Sequence, residues 1–156
     1  MIEITDELIV ETMQGVIEKF LKPKFISLGM NATGKWLDSL EARAVNKNGE
    51  IWGMDYTEFL AKGRASGTAP PISALIPWVN AKLGISGKQA ISVAFAVATK
   101  IKKEGTNYYP RGTDLLEVLA SKEVADYITQ KIGAFLKTEI TKALKRQLND
   151  NIARLK

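Results

Sequence analysis

The chain contains no cysteine and no histidine. The first absence excludes disulfides, thiol nucleophiles and thiolate metal sites. The second excludes Ser-His triads, histidine general bases and His-ligated zinc. Most hydrolytic designs therefore cannot be assembled from these 156 residues. Long apolar runs are missing too: none reaches the roughly 18 residues that a membrane span needs. The start, Met1-Ile2-Glu3-Ile4, has neither a basic stretch nor a small-residue cleavage site, so no secretory signal is expected. The Asn31-Ala32-Thr33 sequon carries no weight without secretion. Internal repeats and low-complexity segments are also lacking.

Apolar residues make up 46% of the chain and charged residues 25%, which suits one globular domain with a real core. The net charge of +5 is not spread evenly. Lys131, Lys137, Lys142, Lys145, Arg146, Arg154 and Lys156 face only Glu139 and Asp150, so the last 26 residues carry all of it. A basic helix of this kind meets nucleic acid, a membrane surface or an acidic protein, or is simply a solvated face.

Helical periodicity opens the chain. Thr5 is placed as an N-cap, with Asp6 and Glu7 in the first turn, where acids favour the helix dipole. Ile9, Met13, Val16, Ile17, Phe20 and Leu21 form an apolar stripe that Lys22-Pro23 should stop. Asn31–Leu40 reads as a turn into a short helix or a strand lead-in. Asn46-Lys47-Asn48-Gly49 is a turn signal able to join strands Leu40–Val45 and Glu50–Met54 as a hairpin. Asp55 is placed to cap a short helix over Tyr56–Lys62. Residues 63–71 are an irregular Gly/Pro loop, followed by a helix from about Ser73 to Leu83, closed by Gly84. Pro77 must lie near its first turns or kink it.

Ser86-Gly87-Lys88-Gln89 has capping-box spacing, and the helix behind it should run to about Glu104. Its run Ala90, Ile91, Val93–Ala98 is apolar nearly all round, as in a helix buried on most sides or covered by a neighbouring subunit. Lys100, Lys102 and Lys103 suit its C-terminal end, and Gly105 ends it. A second loop spans residues 106–112, a helical turn Asp114–Leu119, and helix follows from Ser121 almost to the end. Ile132, Phe135, Leu136, Ile140, Ala143, Leu144, Leu148, Ile152 and Leu155 form its stripe. Unbroken, this helix would reach roughly 50 Å at 1.5 Å per residue. It must bend near Gly133, pack along the first helix, or project. The expected class is α+β, mostly helical, with a small hairpin and a long C-terminal amphipathic helix. Residues 1–112 form the core, and residues 113–156 a helical segment of the same domain or an arm.

Catalytic patterns are scarce. Gly63-Arg64-Ala65-Ser66-Gly67-Thr68 lacks the Gly-Lys-Ser/Thr ending of a phosphate loop. Asp38, Glu41, Glu50, Asp55 and Glu58, with Lys62 nearby, leave a magnesium-dependent nuclease as the enzymatic alternative. The Glu58–Lys62 spacing equally describes a helix-surface ion pair. Trp36, Trp52 and Trp78 sit beside apolar neighbours, so packing is a better account of them than base stacking. No cofactor or metal is expected.

Residues 32–40, Ala-Thr-Gly-Lys-Trp-Leu-Asp-Ser-Leu, resemble an element of the tail-completion and minor tail proteins of tailed bacteriophages. In that family a Tyr-x-x-Phe-x-x-x-Gly element follows, here Tyr56–Gly63, then a Gly-rich loop, two prolines (Pro70, Pro71) and a helix with a tryptophan (Pro77-Trp78-Val79). Ala90–Thr106 is similar to the alanine-rich helix and Gly-Thr of related phage proteins. The chain departs at Phe59–Arg64, where many members have Glu-Phe-Gly-Thr, and in its long basic C-terminal helix.

The resemblance implies a non-enzymatic virion protein, assembled in the bacterial host cytoplasm, acting as a ring-forming connector at the head–tail junction. Its partners would be further copies of itself and other neck or tail proteins, with contact to packaged DNA and none to membrane. Expected interface residues are Tyr56, Phe59, Arg64, Pro70, Pro71, Trp78, Tyr108, Tyr109, Phe135, Leu144 and Leu148. Expected electrostatic contacts are Lys137, Lys142, Lys145, Arg146 and Arg154. The alternative is a DNA-binding module using the basic helix.

Overall fold

The computed structural model describes residues 2–154, with the side chains of Asn151, Ile152 and Arg154 outside the description. The chain is mostly helical, with one two-stranded antiparallel hairpin and a long C-terminal helix. The elements run α1 (Asp6–Val16), a π turn (Ile17–Leu21), α2 (Lys22–Ser27), α3 (Lys35–Asp38), β1 (Glu41–Val45), β2 (Asn48–Trp52), α4 (Thr57–Lys62), α5 (Ile72–Leu83), α6 (Gly87–Glu104), a 3-10 turn (Glu117–Ala120) and α7 (Lys122–Arg154).

Thr5 caps α1 as expected, its hydroxyl accepting from Leu8 N at 3.2 Å. Lys22-Pro23 does not end the helix. The π turn sets the Lys22 amide on the Ile17 carbonyl, five residues back. Pro23 then falls in the first turn of α2, where its missing N–H costs nothing. The π turn also reconciles a spacing. Val16 and Leu21 are both buried and five residues apart, which the wider i→i+5 turn places on one face.

The hairpin turns through Asn46 and Lys47, both with positive φ (51° and 64°), and pairs Val45 with Asn48 and Glu41 with Trp52. Two such residues make the two-residue turn that matches strand twist. Gly49 therefore lies in β2, not in the turn. A Cβ there would sit 2.7 Å from Met13 Cγ and 3.3 Å from Ile9 Cγ2, so the glycine lets β2 press against α1.

Two apolar clusters form. Leu21, Phe25, Trp36 and Leu115 make the first, with Leu40, Ile51, Leu60, Val118 and Leu119 packed on it. Phe25 and Trp36 lie with ring centres 4.4 Å apart, and Trp36 Nε1 donates to Thr57 Oγ1 at 2.8 Å. Leu115 ties the segment after residue 112 into this core. Val79, Ala90 and Ala94 make the second cluster, between α5 and α6. Ala90, Ala94 and Ala98 recur every four residues and are all buried, so only one face of α6 is covered. The expectation of burial on most sides fails: Ile91 and Phe95, each one residue and about 100° round the helix from a buried alanine, are 52% and 65% exposed.

Two local expectations shift, at the starts of α4 and α6, and one holds, with Pro77 near the first turns of α5. Tyr56, not Asp55, is the N-cap of α4, and no side chain caps that helix. Ser86 holds the N-cap position of α6 without making a side-chain bond, because Gly87 enters the helix with φ +63°. Pro77 lies in the second turn of α5, leaving the Ser73 carbonyl without its helical donor.

The first half of α7 packs along α1. Val124 is buried, Tyr127 meets Phe20 edge-to-face at 5.6 Å, and Lys131 pairs with Glu11 at 3.3 Å. From residue 140 to 150 every described residue is exposed, so the second half is an arm, with Lys142, Ala143 and Arg146 flanking Ile2, Glu3 and Thr5 on one side.

Candidate assembly surfaces

The two loops picked out from sequence are bound to one another. Arg64 N donates to Thr106 Oγ1 at 2.8 Å, and Thr106 N donates to Arg64 O at 2.9 Å. Gly67 N reaches Lys102 O at 2.8 Å, and Thr113 N reaches Ala61 O at 2.6 Å. Gly105, with φ +76°, makes this approach available, since a Cβ would lie 2.5 Å from Arg64 O. Much of the loop backbone is thus spent internally, and what the loops offer outward is side chains.

Tyr109 is the exposed aromatic of these loops, and the preceding α4 adds Tyr56 at its N-cap and Phe59. Phe59, Tyr56 and Tyr109 are exposed, and the Arg64 guanidinium lies 4.7 Å from the Phe59 ring centre. Tyr108 OH donates to Phe59 O at 3.4 Å. Burial raises the Tyr108 phenol above its usual 10.0, outweighing its bond with Thr106, and burial raises Tyr56 as well. Both phenols stay protonated near neutrality. On the adjoining hairpin Trp52 is also exposed, with Arg43 stacked at 4.4 Å and Trp52 Nε1 donating to Glu50 at 2.8 Å. Sequence reading passed over this Arg43–Trp52 stack. The cross-strand register that makes them neighbours on one face was the signal.

The remaining residues lie elsewhere. Pro71 is the N-cap of α5, Pro70 precedes it half-buried, and Trp78 is an exposed residue of α5. Phe135 is half-buried where α7 passes the N-terminal segment. Leu144 and Leu148 are 61% and 59% exposed on the arm. Lys137, Lys145 and Arg146 are exposed there, and Lys142 is held by Glu139 at 2.8 Å. The side chains of Arg154 and Ile152, and all of Leu155 and Lys156, fall outside the described residues.

An apolar groove of about 490 Å³ runs between the N-terminal segment, the hairpin tip and α7. Ile2, Ile4, Ile9, Met13, Ile128 and Ile132 line it. Lys47, at the tip, bridges Glu3 and Asp6 at 3.1 Å each, and these acids hold its ammonium above the usual 10.5. This groove was not anticipated, because its floor residues read as ordinary core.

No three of the carboxylates come together to hold a metal among the described residues. Glu58 pairs instead with Lys62 at 3.0 Å, and Glu41 with Arg43 at 2.6 Å. No helix among those residues is long and apolar enough to cross a membrane. The chain matches no protein-family model, no curated protein and no solved structure.

Proposed function

We propose that the chain is a non-enzymatic structural protein of a tailed-phage virion, a ring-forming connector at the head–tail junction. The observation that carries this reading is apolar surface left bare on a packed body. Ile140, Leu144 and Leu148 on the arm, Phe95 on α6, and the aromatic residues Tyr56, Phe59 and Tyr109 are all exposed, while the two cores are closed. A lone soluble chain gains nothing from an exposed apolar stripe, whereas a ring subunit needs one for its neighbours. The ordered resemblance across residues 30–110 supports the phage assignment, and the paired loops give that stretch a rigid frame. The arm and the aromatic cluster are the contact elements in this reading.

Native mass spectrometry of the purified chain, alone and mixed with phage neck and tail proteins, tests it. Oligomers or mixed complexes are expected; a strict monomer under both conditions overturns it. The exposed Lys137, Lys145 and Arg146 favour a second reading, DNA binding through the arm. That reading requires affinity for duplex DNA that falls steeply with salt. Absence of binding at low salt ends it.

A further inference from the structure

We infer that residues 2–5 are a clasp, latched by Lys47, that holds a soft joint in α7, from Gly133 to Thr141, and so fixes where the arm points.

The latch is a residue in an unfavourable conformation. A two-residue turn with both φ positive favours asparagine followed by glycine. Asn46 fits the first place, but the second holds Lys47 at φ 64°. A lysine there is strained where glycine would not be. Its ammonium bonds outside the hairpin altogether: to Glu3 Oε1 and Asp6 Oδ1 at 3.1 Å each, and to the Ile4 carbonyl at 3.3 Å. All three partners lie on the N-terminal segment or at the first residue of α1. Exposed pairs of this kind are weak, so the latch opens reversibly, and salt loosens it.

The segment lies beside the joint. Ile2 and Ile4 border the apolar groove with Ile128 and Ile132, in the packed half of α7. Ile2, Glu3 and Thr5 also line a second cleft against Phe135, Glu139 and Ala143, further along the same helix. The segment therefore flanks α7 on both sides of Gly133. That residue is the one glycine of α7, and nothing lies within 4 Å of where its Cβ would be. Close packing does not require it, so what it brings is backbone freedom. Thr138 and Thr141 donate back to the Ala134 and Lys137 carbonyls at 3.0 and 2.8 Å. Such bonds, to the carbonyl four residues back, weaken and bend helices. Both fall within about two turns of Gly133. A clasp that opens, set over a helix that bends, makes a two-position device. Closed, it holds the arm in one direction; open, it lets the arm swing about the joint.

Distances between spin labels test the device. The chain has no cysteine, so labels on Ala125→Cys and Gln147→Cys are the only ones taken up. Both positions are exposed, and they lie about 33 Å apart along an unbroken helix that spans the joint. Labelled chain is diluted in unlabelled chain, so that only distances within one molecule are read. With Lys47 in place and at low salt the distribution should be narrow. Lys47→Gly removes the latch and gives the turn its preferred residue. The thermal midpoint should hold or rise, while the distribution widens at least about twofold as open molecules accumulate. Glu3→Lys should widen it too, and so should high salt with Lys47 present. Lys47→Arg should keep it narrow. Adding Gly133→Ala to Lys47→Gly should narrow it again, because alanine stiffens the helix. Equal widths with and without the Lys47 ammonium overturn the inference, as does a wide distribution that Gly133→Ala leaves unchanged. A steep fall in the midpoint of Lys47→Gly overturns it as well, since Lys47 would then brace the fold instead of latching a clasp.

Discussion

At Gly15, α1 leaves room for the Tyr127 ring of α7. A Cβ there would lie 1.8 Å from the Tyr127 hydroxyl oxygen and 2.7 Å from its ring. Gly15→Ala gains about 1 kcal/mol in helix propensity. It must also expel a ring that packs on Phe20, and such overpacking costs about 1–3 kcal/mol. The net expectation is a less stable protein, with the thermal midpoint falling about 2–4 °C per kcal/mol for a domain of this size. A raised midpoint would mean that Tyr127 swings clear at no cost. Lys24 donates to Asp114 and holds its carboxyl below the usual 3.8. A folded-state pKa below the unfolded one contributes stability that is present above pH 3.8 and lost as pH falls through the folded value. Denaturation measured down the acid limb should therefore fall more steeply in wild type than in Asp114→Asn. The group is exposed, so the difference is small. Glycines and prolines show where residue-level reading succeeds and where it stops. Gly84, with φ +66°, closes α5 as read, because a helix end is local. Gly49 and Pro23 were read as punctuation, yet one makes room for Met13 and the other follows a π turn. Both depend on what lies across the fold, which spacing along one chain does not carry.

At the scale of elements, α5 and α6 form a hairpin with its own small core of Val79, Ala90 and Ala94. Polar ties join it to the rest: Lys82 to the Gly29 carbonyl at 2.8 Å, Gly67 to Lys102, and the Arg64–Thr106 pair. The larger cluster holds bulkier residues, Phe25, Trp36 and Leu21. Amide exchange should accordingly proceed through an opening of α5 and α6 at lower free energy than that of α1 and the first half of α7. Equal protection across all four helices would show that the polar ties join them into one cooperative unit. These helices were legible because their apolar residues repeat at helical spacing and glycines end them. The bare side of α6 was not, since Ile91 and Phe95 count toward the same apolar run as the buried alanines. Periodicity reports that a face is apolar, not whether something covers it.

Across the whole molecule, the body closes its cores before the chain reaches residue 140. Ending the chain after Glu139 should leave the thermal midpoint nearly unchanged, since exposed residues away from packed features typically change stability by less than about 0.5 kcal/mol each. The same truncation should remove self-association. A large drop in midpoint would show that the arm supports the body. The sequence disclosed both the length of α7 and its charge. It left open whether the helix bends, packs or projects, because that depends on where α1 ends, and the π turn extends α1 into α2 beyond its apparent stop.

The four-residue repeat on the arm also dictates how a partner helix can lie on it. Side chains four apart form ridges inclined about 26° to the helix axis, and two helices that interdigitate such ridges cross at about −50°. A partner meeting Ile140, Leu144 and Leu148 in this way therefore cannot zip lengthwise along α7 as in a coiled coil, which needs a repeat of about 3.5. It crosses the arm at one short patch. A joint of that kind would be a pivot: two molecules so joined stay attached while the angle between them is set by their bodies, not by the arm.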